Sequence, residues 1–444
     1  CRRKTQIICR SICWIMSRGR EMTDLERISG LQNRMKVNVE TGILPFWRKY
    51  LTDEKNGGFY GRVCGDLTPD PDSPKSAVLN CRLLWTFSRA YALYKREEDR
   101  VLADRAFSYI RDYFWDKKYG GIYWMLTCKG EPSEPEKRTY SQAFLIYAMA
   151  EYYRVFQKEE ALKMAMETSR LVNANMKWQN GGYRDSAARD WQQDDWVNLW
   201  IKNRTGAAKL LNSNMHLFEG ILNLAETVQD ECADRALRDE LEFLLDTAMD
   251  RRWGHLKAGM SENGRRLDGE INYGHDCECS YLMTRAARRL KDDALIKRAD
   301  ETALTLIDHV ELEGFDRTEG GLFYIRDGYT GKENKAKIWW VQAEGITAFF
   351  NAYQLTGEKR YLNCAIAIWN YTEKFLVNHE TGDWNSIGGC GTGDPEYEKD
   401  VLALRDIFTN EEKAGKGKCP YHNTRACFEI VERADQVLRR KDYE

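Results

Sequence analysis

The sequence predicts an all-α chain closed into an (α/α)6 barrel: six helical hairpins, six helices inside and six outside. Three observations carry the prediction. First, a glycine-rich turn beside aromatic residues recurs six times, starting at positions 57, 120, 181, 254, 320 and 382. The intervals of 63, 61, 73, 66 and 62 residues each leave room for two helices and a loop. Second, the segments between these turns carry apolar residues at helical spacing. Third, the whole chain holds eight prolines, which suits long uninterrupted helices.

The turns read, in order, Gly57-Gly58-Phe59-Tyr60, Gly120-Gly121-Ile122-Tyr123-Trp124 and Gly181-Gly182-Tyr183. They continue as Trp253-Gly254, Gly320-Gly321-Leu322-Phe323-Tyr324 and Thr381-Gly382-Asp383-Trp384. Met22 opens an ordinary helix over 23–37. Within 136–156, Tyr140, Phe144, Ala148 and Tyr152 recur every four residues and form one apolar stripe. Segments 207–228, 237–249, 292–310, 341–354 and 360–375 read the same way. Short strands are expected around 59–63 and 122–126. Six units favour closure over the alternative, an open helical solenoid. Closure would gather the glycine turns at one end around a pocket. The stretch 184–203, with Trp191, Trp196 and Trp200, lengthens the third interval and is expected to cover that pocket. Residues 1–21 are expected to be a disordered or upstream extension, and 22–444 one catalytic domain.

Composition narrows the function. The 444 residues are 43% hydrophobic and 31% charged, as in a soluble globular chain. The net charge of -2 and the lack of a long basic run argue against nucleic acid as a partner. No apolar run has the length of a membrane span. The 13 cysteines are scattered without a Cys-x-x-Cys pair, so free thiols in a reducing cytoplasm are expected. Cys277 and Cys279 alone are weak evidence for zinc. Fourteen Trp and 23 Tyr fill cores, and can also present platforms to apolar sugar faces.

Chemistry concentrates in three histidine stretches. His275 follows Gly274, read as a helix breaker, and lies three residues before Glu278 on one helical face. A carboxylate beside an imidazole fixes its tautomer and raises its basicity, preparing a general base. A plain helix start with acidic residues near the macrodipole reads equally well from this stretch alone. His216 sits in the stretch 209–219 with Asn212, and His422 in Lys418-Cys419-Pro420-Tyr421-His422-Asn423-Thr424-Arg425. Of the six histidines, His255, His309 and His379 read as surface or loop residues.

These motifs, taken in order, resemble the N-acylglucosamine 2-epimerase superfamily, and within it the cellobiose 2-epimerases. The matching residues are Gly57-Gly58-Phe59-Tyr60-Gly61-Arg62, Asn212 with His216, and Tyr273-Gly274-His275-Asp276 with Glu278. Trp339-Trp340-Val341-Gln342-Ala343-Glu344 and Pro420-Tyr421-His422-Asn423-x-Arg425 complete the set. The resemblance spans about residues 22–435 and implies an (α/α)6 barrel, in agreement with the repeat count.

It also implies a reaction: epimerisation at C2 of the reducing sugar of a β-1,4-linked disaccharide such as cellobiose, lactose or mannobiose. The C2 proton is acidic only in the open-chain aldehyde. One base removes it and an acid on the other face of a cis-enediolate returns one, with no cofactor and no metal. By resemblance His275 and His422 are those groups, with Glu278 orienting His275. His216 and Arg62 steady the developing oxyanion. Asn212, Trp339, Trp340, Glu344 and Tyr140 are the further substrate-binding candidates, and Gln142 opens the same helix as Tyr140. One tryptophan of the pair is expected to be core, Glu344 reads almost as well as a structural cap or buried ion pair, and Tyr140 reads better as core than as a pocket residue. One departure stands out: the disaccharide epimerases usually carry Trp where this chain has Gly417. The expected partner is a small sugar, and the expected state a monomer or weak dimer. The alternatives are a monosaccharide enzyme (N-acylglucosamine 2-epimerase or mannose isomerase), an inverting glycoside hydrolase using Asp185, Asp194 or Asp195, and a non-catalytic sugar-binding barrel.

Overall fold

The computed structural model describes residues 22–193, 206–391 and 393–441. The expected extension 1–21 lies outside the described residues, as do Asp194, Asp195, Trp196 and Trp200. The chain opens with α1 (Asp24–Asn38), started by a capping box in which Thr23 and Glu26 satisfy each other's backbone N–H. A π-helical turn, Val39–Ile43, leads into the short α2 (Leu44–Tyr50).

Helix pairs follow: α3 (Ala77–Tyr94) with α4 (Glu97–Tyr109), α5 (Thr139–Phe156) with α6 (Glu159–Met176), and α7 (Leu211–Thr227) with α8 (Glu231–Glu242). Next are α9 (Tyr273–Leu290) with α10 (Asp293–His309), and α11 (Trp339–Thr356) with α12 (Lys359–Phe375). A short α13 (Pro395–Leu402) precedes the last helix, α14 (Tyr421–Lys441).

Helices α3, α5, α7, α9, α11 and α14 pack successively against one another, and α14 also meets α3. The ring is therefore closed, and the open solenoid is excluded. Five hairpins are consecutive; the sixth pair joins the two ends of the fold, with α1 packed on α14. The inner helices are covered on both sides, so α3 is buried almost without interruption from Ala77 to Ser88. The outer helices bury one stripe each. The expected strands exist as two- and three-residue pairs such as Lys75–Ser76 with Met125–Leu126.

A repeated device explains the glycine turns. Each of four turns carries an aspartate whose carboxylate holds a buried lysine just ahead of an inner helix: Asp53 with Lys75 at 2.8 Å, Asp116 with Lys137 at 3.1 Å, Asp316 with Lys337 at 2.6 Å and Asp383 with Lys418 at 2.6 Å. Amide side chains clamp the turns as well. Gln142 accepts from Ile122 N at 3.0 Å and donates to Ile122 O at 2.8 Å, and Gln342 does the same for Leu322. Gln142 is thus a structural clamp rather than a pocket residue. Gly58 shows why the turn needs glycine: its φ is +62°, and a Cβ would fall 2.6 Å from the Tyr109 ring.

Candidate active site

The N-terminal ends of the inner helices surround a cavity of about 400 Å³. Its lining includes the three histidines of the sequence motifs, His216, His275 and His422, and also Tyr140, Asn212, Trp339, Trp340 and Glu278. Asn272 caps α9, its side chain accepting from His275 N at 3.2 Å. Gly274 does not break that helix. It lies in the first turn because a Cβ there would meet the Trp340 ring at 2.4 Å. Trp340 in turn lies 5.1 Å from His275 and 5.6 Å from His422, ring centre to ring centre, so the two imidazoles flank one indole. Both tryptophans reach the wall, Trp339 almost wholly buried and edge-on to Phe408.

The carboxylates are arranged differently from the sequence expectation. His422 Nδ1 lies 2.6 Å from Glu344 Oε1, and Tyr281 donates to Glu344 Oε2 at 2.7 Å. Glu344 is therefore absent from the cavity lining and stands behind His422. His216 Nδ1 lies 3.1 Å from Glu219 Oε2. A carboxylate accepts only, so each of these imidazoles, when neutral, carries its proton on Nδ1 and leaves Nε2 as the basic atom. Glu278 does not orient His275. His275 Nδ1 and Glu278 Oε2 are both buried without a hydrogen-bond partner among the described residues. Glu278 Oε1 instead accepts from Arg425, whose guanidinium also bonds Glu219 and, at 2.6 Å, Glu344. One buried arginine thus gathers three carboxylates, and Glu278 stands within 4.8 Å of the ligand atoms of both His216 and His422.

This crowding sets the protonation states. Burial, with His216 nearby, pushes His275 down to about 3. Burial and the Arg82 and Arg425 cations hold His422 well below its ordinary value. Burial and the neighbouring Glu344 push Glu278 up to about 7, against the pull of Arg425. Burial raises Glu219 too, but Arg425 and His216 outweigh it and hold that carboxylate at about 2.

Arg62 is not brought to the cavity. Its side chain is 44% exposed and pairs with Glu412 at 3.3 Å. The arginine on the wall is Arg82, 3% exposed, which donates to Tyr140 Oη at 2.9 Å and lies 4.1 Å over the Phe144 ring. The sequence offered one signal for it: Arg82 is the sole charged residue in the stretch Ala77-Val78-Leu79-Asn80-Cys81-Arg82-Leu83-Leu84-Trp85 of an inner helix. Glu219 was equally visible, three residues after His216. His255, expected at the surface, is fully buried, with Nδ1 2.7 Å from Asp276 Oδ2. His379 is exposed and His309 half-buried. Asp185 lies off the cavity, bonded by Ser213. Gly417 does line the cavity, and a Cβ built on it meets nothing within 4 Å.

Comparison with known proteins agrees with this arrangement. The family description N-acylglucosamine 2-epimerase (GlcNAc 2-epimerase) matches residues 58–388. A cellobiose 2-epimerase from Bacteroides fragilis is 32% identical over 403 residues, 90% of this chain and 98% of the relative. The solved cellobiose 2-epimerase of Bacillus thermoamylovorans superposes with a TM-score of 0.82 at 30% identity, covering 91% of this chain and all of that one. The N-acylglucosamine 2-epimerase of Rattus norvegicus is more distant, 26% identical over 365 residues, 77% of this chain and 80% of the relative. With its repeat, its cavity and three quarters of its length accounted for in this way, the chain belongs to the N-acylglucosamine 2-epimerase family.

Proposed function

We propose that this chain is a carbohydrate 2-epimerase that inverts C2 of the reducing sugar of β-1,4-linked disaccharides. The observation that carries the reading is the convergence of His216, His275 and His422 on one cavity, with Arg82 on its wall. The more similar relatives named above are cellobiose 2-epimerases, which favours a disaccharide over a monosaccharide.

The residues divide the work as follows. The open-chain aldehyde lies along Trp340 between His275 and His422. The neutral imidazole on one side takes the C2 proton, and the charge moves onto O1 of a cis-enediolate. Arg82, buried and always charged, faces that oxygen, and His216 on the same wall, whose Nε2 accepts rather than donates, serves ring opening instead. The imidazole on the opposite side then protonates C2 from the other face. Glu344 holds His422 with Nε2 toward the sugar and stabilises its imidazolium once formed. Both imidazoles are neutral in the free protein, so the returned proton needs a source. Glu278, half-protonated near neutral pH and close to His422, is placed to supply it.

The reading is tested with cellobiose in heavy water. Expected is a new reducing disaccharide, glucosyl-mannose, with deuterium at C2 and no free glucose. Free glucose would support the hydrolase alternative. Turnover of free mannose or N-acetylglucosamine but not cellobiose would move the chain to the monosaccharide branch. The cysteine usage and the small sugar substrate suit a cytoplasmic enzyme acting alone or as a weak dimer. No described helix is long and apolar enough to cross a membrane.

A further inference from the structure

Away from the cavity, His255 is held as metal-binding histidines are held. It lies in the short strand His255–Leu256, fully buried. Asp276 Oδ2 lies 2.7 Å from its Nδ1, while Asp276 Oδ1 accepts from Leu256 N at 2.9 Å. The carboxylate accepts only, so Nδ1 carries the proton and the ring's other lone pair is on Nε2. That atom is buried and without a hydrogen-bond partner among the described residues. A carboxylate behind the imidazole is the support that metal-ligating histidines ordinarily have.

Nε2 looks at two further ligand-type groups. The nearer is Glu313, whose Oε2 is 3.6 Å away. The other is His309, whose ring centre lies 5.3 Å from that of His255 and whose Nδ1 is 3.4 Å from Glu313 Oε1. His309 ends α10, and Glu313 follows four residues later in the π-helical turn Val310–Gly314, so both project to the same side. One ligand atom from each of the three lies within 4.8 Å of the others, a set that a single ion with ligand bonds of about 2.0–2.2 Å can draw together. The close approach depends on Gly254: its φ is +73°, and a Cβ there would fall 2.2 Å from the His309 ring. His309 and Glu313 are only half-buried, which leaves an open side for water as a fourth ligand.

We propose that His255, His309 and Glu313 bind one divalent transition-metal ion of the zinc class. Two imidazoles and a carboxylate suit such an ion far better than calcium or magnesium. The ion ties the turn at Gly254 to the end of α10. Through Asp276, the residue after His275, it braces the first turn of α9 from behind. It contributes to stability and adds no step to the sugar chemistry. Its competitor is a proton on Nε2, with the imidazolium bridging Asp276 and Glu313. Arg326, which bonds Glu313 Oε2, must share that carboxylate in either state.

The test uses the full chain after treatment with a chelator and dialysis. Zinc binding is followed by calorimetry and melting temperature, and cobalt(II) binding by its visible absorption. Expected are one ion per chain, a cobalt spectrum of low coordination number, and a melting temperature that rises with zinc. His309→Ala and Glu313→Gln, at half-buried positions, each weaken binding at least tenfold while circular dichroism and epimerase turnover persist. His422→Asn leaves the binding unchanged. The proposal is overturned if the stripped protein binds neither ion, if both site variants bind as the wild type does, or if binding disappears in His422→Asn instead, which would put the ion in the cavity.

Discussion

Gly417→Trp is the substitution that most directly tests where the second sugar lies. Gly417 lines the cavity beside Phe408 and Lys416, with no neighbour within 4 Å of a new Cβ among the described residues. Its φ is not in the left-handed range, so a side chain brings no backbone strain. A pyranose laid on one indole face hides roughly a third of the ring's ~200 Å², about 70 Å², and buries a similar area of its own. At ~25 cal/mol per Å² the contact is worth about 3.5 kcal/mol. Ordering the new side chain costs about 1 kcal/mol. The net of about 2.5 kcal/mol corresponds to a roughly seventy-fold change in affinity.

In the proposed mechanism the histidines and Arg82 act on the reducing sugar, and His216, His422 and Arg82 are buried where Gly417 is exposed. The gain should therefore appear in KM for cellobiose with kcat nearly unchanged, the pattern of added uniform binding. The assay is steady-state epimerisation of cellobiose and, separately, of mannose. A fall in KM for the disaccharide alone is expected. An equal change on both sugars, or none on either, would show that the second ring does not lie over position 417 and that Phe408 or Trp339 already serves as its platform.

Three further outcomes are expected. Arg82→Met should lower kcat by about 10²–10³, the usual effect of removing one oxyanion donor, whereas Arg62→Ala should stay within about twofold in the same assay. His275→Asn and His422→Asn should each lose at least about 10²-fold in turnover; solvent-deuterium exchange at C2 that survives in one variant would identify the imidazole serving the retained face. Glu278→Gln should remove a pH dependence. The wild-type carboxyl is raised to about 7, so between the unfolded value of 4.5 and 7 the folded state binds the extra proton, and stability falls as pH rises through that window. The variant, followed by thermal melts, should lack this contribution of up to about 3 kcal/mol. It should also lack the decline of wild-type kcat above pH 7, where the proton source is spent; an unchanged profile would exclude Glu278 as that source.

The barrel was legible because its repeat is visible as well as structural. A buried lysine needs an aspartate, the aspartate needs a tight turn, and the turn needs glycine, so one physical requirement accounts for four of the six marks in the chain. The three histidines were legible because the chain has few and these stand in polar stretches. Their carboxylate partners were not. His216 and Glu219, and His275 and Glu278, have the same three-residue spacing, and local geometry alone favours both pairs equally. Arg425 decides between them from another helix: it takes one oxygen of each glutamate, but only His216 turns its Nδ1 toward the oxygen that remains. The same limit explains the two arginines. Arg62 stands beside a recognisable glycine turn, yet the turn faces Glu412 and solvent. Arg82 stands in a run that looks like core, and it is core on every side except the one that opens on the cavity. A cation is kept there because Phe144 and Tyr421 lend it their ring faces and Tyr140 and the Cys419 sulfur accept its protons. Arg82 and the three rings come from three different helices, so the reason for the arginine exists only once the ring has closed.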